Sequence, residues 1–296
     1  MILIAANPYR GATGPRARVA ALVGALEAAG AGPRVRVVWD AGARAALLAD
    51  PGAIADVHCV VAAGGDGTVA AVINELTTDV PLAVLPTGNE NLFARALGFA
   101  VGPARLARAI LAGGRRRLDL GRARSAGGTR RFGLMLSAGF DADVIHRVTR
   151  WREQGGVARR VGRASYLRPI GAALWAYAHA PLSVTADDVT ARGAYCVIGN
   201  LPDYALALRL TPAARADDGL LDWVTFQRAG RTALAAYAWA VLLRRHATLA
   251  HVRSGRARRL SLTSEVPVPV QLDGEALGFT PVEIDVLPAA LSIVVV

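Results

Sequence analysis

The sequence predicts an α/β N-terminal domain with a parallel, doubly wound sheet, followed by a mainly antiparallel β-sandwich. Three observations carry that prediction. Over roughly the first 120 residues, short apolar runs alternate with stretches of helical periodicity, the rhythm of a parallel sheet covered by helices. Within it, the strand-like run Val57–Ala63 passes through Gly64-Gly65-Asp66-Gly67-Thr68 into a helix. From about Arg115 the rhythm changes, and strand-like segments succeed one another with few helices between, as in a sandwich.

In order, Ile2–Ala6 reads as the first strand, ending at the turn Asn7-Pro8-Tyr9-Arg10-Gly11. Pro15 suits the first position of a helix, whose apolar face is Val19, Leu22, Val23 and Leu26. Arg34–Trp39 is the second strand, Ala41–Ala49 a short helix and Val57–Ala63 the third strand. Val69, Val72, Ile73 and Leu76 fall at i, i+3, i+4 and i+7, which predicts a helix over 68–77. Pro81–Pro86 is the fourth strand, running through Thr87-Gly88-Asn89-Glu90-Asn91 into a helical Leu92–Leu97. Ligands of such sheets gather at the carboxyl ends of the strands, so the three turns at 7–11, 64–68 and 88–91 are expected at one edge. Glycine there lets backbone N–H groups approach a phosphate. Asp66, an acid among the glycines, would repel a bare anion and suits a cation or hydroxyl lying between them. Taken alone, the same residues also describe an ordinary strand-to-helix turn.

In the second half, Arg115–Arg122, Phe132–Ala138, Leu182–Ala186, Ala194–Asn200, Leu220–Gln227, Arg258–Thr263, Val268–Asp273 and Val282–Leu287 read as strands, with Leu291–Val296 last. Two helices interrupt them, Ala164–Ala178 and Arg231–Arg245. Their aromatic residues Trp175, Tyr177, Tyr237 and Trp239 are expected in the core, a lipid-tail pocket being the other reading.

The 296 residues are 53% hydrophobic with a formal net charge of +11, enough to bury a substantial core. All basic residues are arginine and none is lysine, a bias that weakens any inference of a nucleic-acid partner from charge; none is expected. Trp151-Arg152 and Arg253, Arg256, Arg258 and Arg259 fit either an anionic interface or solvated faces. Cys59 and Cys196 lie in apolar runs and read as buried thiols. His58, His146, His179, His246 and His251 lack ligand spacing, and Ser137, Ser165 and Ser183 lack the setting of a hydrolase nucleophile. The N-terminus lacks the features of a signal peptide, and the longest apolar stretches, Pro169–Leu182 and Thr232–Leu243, fall short of the ~20 residues that span a bilayer. A cytoplasmic protein with peripheral contact at the inner membrane face is expected.

Seven segments in sequence order carry a resemblance. They are Asn7-Pro8 with Gly11, Gly64-Gly65-Asp66-Gly67-Thr68, Pro86-Thr87-Gly88-Asn89-Glu90-Asn91, Asp119-Leu120-Gly121, Ala138-Gly139-Phe140-Asp141-Ala142, Asp217-Asp218-Gly219-Leu220-Leu221-Asp222 and Asp273-Gly274-Glu275. Together they resemble the diacylglycerol kinase-like lipid kinases, and more distantly the NAD kinases and 6-phosphofructokinases. The resemblance implies that the chain's end returns to the first domain, giving domains 1–122 with about 289–296, and 123–288. It implies phosphoryl transfer from ATP to a hydroxyl of a lipid such as diacylglycerol or a sphingoid lipid at a membrane surface, a reaction governed by positioning and charge neutralisation. A homodimer is compatible with it.

By the same resemblance, Asn7, Pro8, Gly11, Gly64, Gly65, Asp66, Gly67, Thr68, Gly88, Asn89 and Asn91 hold the nucleotide. The N–H groups of Gly65 to Thr68 cradle its phosphates, and Asp66 acts through Mg²⁺. Glu275 is the implied base, with Asp273 orienting it or contacting the catalytic magnesium. Asp273-Gly274 is by itself also a favoured hairpin turn. A second, structural Mg²⁺ is implied on Asp218 and the carbonyls of Arg215 and Leu220, where a plain turn is the alternative. The chain departs from the family at Ala71, usually glutamate, at Asn89, usually threonine, and after Asn200-Leu201-Pro202, where a glycine-rich stretch is replaced by Ala205-Leu206-Ala207-Leu208. NAD kinase, or a silent nucleotide- or lipid-binding member of the fold, remains an alternative.

Overall fold

Ile2–Ala6 (β1), Cys59–Gly64 (β3) and Leu82–Pro86 (β4) are buried at every residue, as strands covered on both faces must be. The computed structural model describes residues 1–7, 14–31, 34–154, 167–176, 180–204 and 208–296. The chain divides into two compact units, Met1–Asp119 with Ala289–Val296, and Leu120–Pro288.

In the first unit, Val35–Val38 (β2), β1, β3 and β4 form a parallel sheet in that order. Its far side is closed by the end of the last strand, Val282–Val294 (β16), where Ile293 pairs with Leu82 in parallel. Around the sheet lie Pro15–Leu26 (α1), Ala41–Ala49 (α2), Asp66–Glu75 (α3), Leu92–Ala96 (α4) and Pro103–Ala112 (α5). α1 carries its proline at the N-terminus and buries Val19, Leu22 and Leu26. The helix α5, which the sequence reading left unassigned, also opens on a proline and buries Leu106, Ala107 and Ile110. The expected helix over 68–77 begins earlier, at Asp66, because Gly65 is its N-cap and both Thr68 and Val69 donate to the Gly65 carbonyl.

The second unit is a sandwich. One sheet is antiparallel throughout, in the order Val252–Ala257 (β12), Leu221–Phe226 (β11), Tyr195–Gly199 (β10), Met135–Ala138 (β7), Pro269–Leu272 (β14) and Glu275–Phe279 (β15). Opposite it, the first half of β16 pairs with Arg259–Thr263 (β13), which pairs with Leu182–Ala186 (β8) and it with Val189–Gly193 (β9). Arg115–Ser125 (β5) and Gly128–Phe132 (β6) form a hairpin attached to β16. Leu136, Cys196, Ile198 and Trp223 from one sheet and Val184, Leu260, Leu262 and Ile284 from the other form one buried cluster with Phe132. The Phe132 ring lies over Gly121, where any Cβ would meet it at 2.0 Å.

Several expectations are corrected. The segment 132–138 is two strands, β6 and β7, split at Gly133-Leu134, whose N–H groups turn to the Asp273 carboxylate. Val282–Leu287 and residues 291–294 are parts of one strand, Val282–Val294, within which Ala289 takes a positive φ of 50°. A helix, Phe140–Gln154 (α6), occupies a stretch left unassigned. The helix read as Ala164–Ala178 is described over Leu167–Ala176 (α7), and the one read as Arg231–Arg245 is Arg231–Leu242 (α8). Of the aromatic residues placed in the core, Tyr237 is buried, but Trp175 is 79% and Trp239 65% exposed; Tyr177 lies outside the described residues. No described helix is long and apolar enough to cross a membrane.

Candidate active site

In the first unit the site is built by strand register. Ala6 lies opposite Ala63, and Gly64 opposite Pro86, so three strands end in line and release their turns at one edge. The turns are then tied together. Asn7 N donates to Ala63 O at 3.0 Å and Thr87 N to Gly64 O at 2.9 Å. The Thr68 side chain sits where a Cβ of Gly64 would be, 2.1 Å from its Oγ1, and Asn7 Nδ2 lies 3.5 Å from that hydroxyl. Gly65 and Gly88 meet backbone to backbone. Asn91, left-handed at φ 51°, closes its own loop, accepting from Gly88 N at 3.0 Å and donating to Gly88 O at 2.8 Å. Asn89 is exposed and Ala71 half-buried. Pro8 and Gly11 lie outside the described residues.

Two of the expected groups already have partners in this geometry. Thr68 N donates to Gly65 O at 2.9 Å, so the N–H groups left at the start of α3 are those before Thr68, with Gly67 exposed. Asp66 Oδ1 accepts from Phe93 N at 3.0 Å, so the carboxylate binds the opening turn of α4. Burial raises the Asp66 pKa, and backbone N–H groups of Phe93 and Leu92 oppose that rise. The sequence reading also passed over Thr87, whose hydroxyl is buried in this loop without a hydrogen-bond partner. An orphaned hydroxyl between closely approaching glycine turns fits a site completed by a polar ligand such as a phosphate.

The second constellation belongs to the other unit. Asp273 and Gly274, at φ 50° and 84°, form the turn between β14 and β15, and Glu275 is the first residue of β15. The Asp273 carboxylate is buried and accepts three backbone N–H bonds, from Gly133 at 2.8 Å, Leu134 at 3.0 Å and Met135 at 2.8 Å. It therefore fastens the hairpin to the backbone of residues 133–135. Glu275 is partly exposed, with Oε2 2.7 Å from Arg130 Nη2.

Behind the turn lies a polar chain through the sheet. Gly274 N donates to Gln271 Oε1 at 2.9 Å, and Gln271 Nε2 to Ser137 Oγ at 2.7 Å. Ser137 Oγ donates to Asp141 Oδ2, which also accepts from Tyr204 Oη at 2.9 Å. Burial raises the Asp141 pKa against the pull of these hydroxyls. The available signal was a serine and a glutamine on apolar strands, which the register places directly opposite each other.

Asp218 and Asp222 form a third cluster. Asp218 Oδ1 accepts from Leu220 N at 3.1 Å, while Oδ2 of each aspartate is buried without a hydrogen bond. The Arg256 guanidinium is 3.6 Å from Asp218 Oδ2. Burial pushes Asp222 up to about 6; Arg256 lowers it and Asp218 raises it. Arg215 turns its side chain to Asp217 at 3.1 Å. Among the described residues no three His, Cys, Asp or Glu side chains gather as for a metal, so a cation here would need backbone carbonyls beside the carboxylates. Two buried carboxylate oxygens that accept no hydrogen bond fit a hard cation.

Comparison with known proteins decides the family. Residues 1–123 match the diacylglycerol kinase catalytic domain, and residues 134–295 match the YegS C-terminal NAD kinase beta sandwich-like domain. The chain belongs to the diacylglycerol kinase-like lipid kinases. A protein of Mycobacterium tuberculosis named "Diacylglycerol kinase" is 31% identical over 79% of this chain and 75% of its own. A protein of Pseudomonas aeruginosa named "Probable lipid kinase YegS-like" is 34% identical over 69% of this chain and 66% of its own. Among solved structures, a diacylglycerol kinase from Bacillus anthracis matches with a TM-score of 0.70 at 17% identity, covering 100% of this chain and 96% of that one. An NAD kinase from Archaeoglobus fulgidus in complex with ATP matches at 0.51 and 11% identity, covering 99% and 93%. These two likenesses concern the fold. As a member of the diacylglycerol kinase-like family the chain is a phosphotransferase with an alcohol acceptor.

Proposed function

We propose that this lipid kinase transfers the γ-phosphoryl group of ATP to the hydroxyl of a membrane lipid of the diacylglycerol or sphingoid class. The observation that carries the reading is the backbone contact of the Gly65 and Gly88 turns beside the buried, unpartnered Thr87 hydroxyl. The N–H groups at the start of α3 hold the donor phosphates, with Asp66 holding α4 against that loop. The lipid hydroxyl gives its proton to Glu275 as its oxygen bonds the γ-phosphorus, and the β–γ bridging bond breaks to release ADP. Arg130 orients the carboxylate through Oε2. Mg²⁺ on the phosphates would supply charge neutralisation, and Asp218 and Asp222 with the carbonyls of Arg215 and Leu220 would hold a second, structural Mg²⁺.

The test is incubation with labelled ATP, Mg²⁺ and a mixed lipid extract. A lipid-soluble labelled product, absent with Glu275→Gln, supports the reading. Labelling of NAD instead, or nucleotide binding with no transfer to any lipid, overturns it.

A further inference from the structure

We infer that α8 is an interfacial helix through which the second unit docks on an anionic bilayer surface, lying in the plane of the headgroups. Its inward side is anchored. Tyr237, Ala240 and Val241 are buried, the Tyr237 ring packs on Phe226 at 4.7 Å, and its Oη accepts from Arg228 N at 2.9 Å. Its outward side is apolar yet uncovered. Trp239 is 65%, Leu242 60% and Leu243 51% exposed, and Ala235, Ala236 and Ala238 are exposed beside them. Trp175 of α7 joins this surface, with the Arg231 guanidinium 4.3 Å above its ring. Single exposed apolar residues are ordinary, but a contiguous tryptophan- and leucine-bearing helix face marks an interaction surface.

Charge selects the occupant. Between Asp222 and Glu265 the chain carries eight arginines and no acidic residue. Arg228 and Arg231 stand exposed at one end of α8, and Arg244 and Arg245 at the other. An apolar face with tryptophan, bracketed by arginines, is the pattern of a helix seated at the headgroup level of an anionic leaflet. A second copy docked two-fold on this face would set these arginines against their equivalents, and the segment between Asp222 and Glu265 supplies no acid to meet them. Since α8 is too short to span a bilayer, it lies along the surface. The inference goes beyond the transfer reaction and does not depend on it.

The test uses the whole protein without nucleotide, sedimented with vesicles of phosphatidylcholine alone or mixed with phosphatidylserine, lipids that offer no free hydroxyl acceptor. Binding to the phosphatidylserine vesicles is expected, at least about tenfold tighter than to phosphatidylcholine and weakened by salt. The double variant Trp239→Ala, Leu243→Ser should lose at least about tenfold in binding while keeping its melting temperature, since both side chains are exposed. Arg244→Gln with Arg245→Gln should remove the preference for phosphatidylserine. Undiminished binding by the first variant overturns the inference, as does wild-type protein that ignores anionic vesicles. So does a concentration-dependent dimer that the first variant abolishes, which would assign the face to self-association. Because no phosphoryl transfer is read, failure here is separate from failure of the kinase reading.

Discussion

A Cβ on Gly88 would stand 2.5 Å from the Cα of Gly65 and 2.9 Å from Asn91 Oδ1, so the turns after β3 and β4 touch through bare backbone. Gly88→Ala must force them apart. The expected cost is about 1–3 kcal/mol of stability, the range for overpacking, with transfer activity reduced more than stability. Gly24→Ala in α1 is the control: it has open space around it and should stabilise by up to ~1 kcal/mol. Urea unfolding of both variants checks the contrast.

Asp273 and Glu275 are two residues apart and should behave oppositely. Asp273→Asn places an amide among three backbone donors that now meet a carboxylate, so a loss of roughly 2–3 kcal/mol is expected. Glu275→Gln breaks only a partly exposed ion pair, worth about 1 kcal/mol or less, yet should remove catalysis. A folded, inactive Glu275→Gln beside a destabilised Asp273→Asn is the predicted pair of results. An active Glu275→Gln would assign the base elsewhere.

The raised pKa of Asp141 has a definite sign. The native state binds this proton more tightly than the unfolded chain does. The resulting stabilisation is complete below the unfolded carboxylate value near 4 and is lost as pH climbs through the raised native value. Asp141→Asn, which keeps an acceptor for Tyr204 Oη, should flatten that decline. The difference between wild-type and variant melting curves across mildly acid to neutral pH isolates the effect from Asp66, whose burial acts in the same direction. Parallel curves would mean that Asp141 does not titrate in this window.

Magnesium should protect the second unit through Asp218 and Asp222. At a hundredfold excess over the dissociation constant a single site adds about 2.7 kcal/mol. Asp218→Asn should abolish that gain, and so should a chelator. Because Asp218 Oδ2 accepts no hydrogen bond and its 3.6 Å pairing with the half-exposed Arg256 is worth about 1 kcal/mol or less, Asp218→Asn is also expected to cost the metal-free protein little. Thermal melts with and without Mg²⁺ measure both effects.

What could be read from the sequence was what neighbours in sequence decide. The buried strands β1, β3 and β4 are continuous apolar runs, and the Gly64–Thr68 loop declares itself because its glycines, acid and helix are contiguous. The helix α6 hid because Asp141, Asp143, His146 and Arg147 crowd the same turns as its buried Ala142, Val144 and Val148. β12 hid because only its end residues, Val252 and Ala257, are buried. Within the site, partners distant in the chain could not be read. The backbone that Asp273 fastens lies up to 140 residues away. Phe93, whose N–H donates to the Asp66 carboxylate, is 27 residues downstream. Trp239 was placed inside by its apolar neighbours, although it is 65% exposed.

The first unit borrows its closing strand from residues 289–294, which follow the whole of the second unit in the chain. On the ribosome the first unit's sheet therefore stays one strand short until the sandwich has been synthesised. A chain interrupted before residue 289 leaves β4 as an open sheet edge, so this architecture ties closure of the first sheet to synthesis of the second unit.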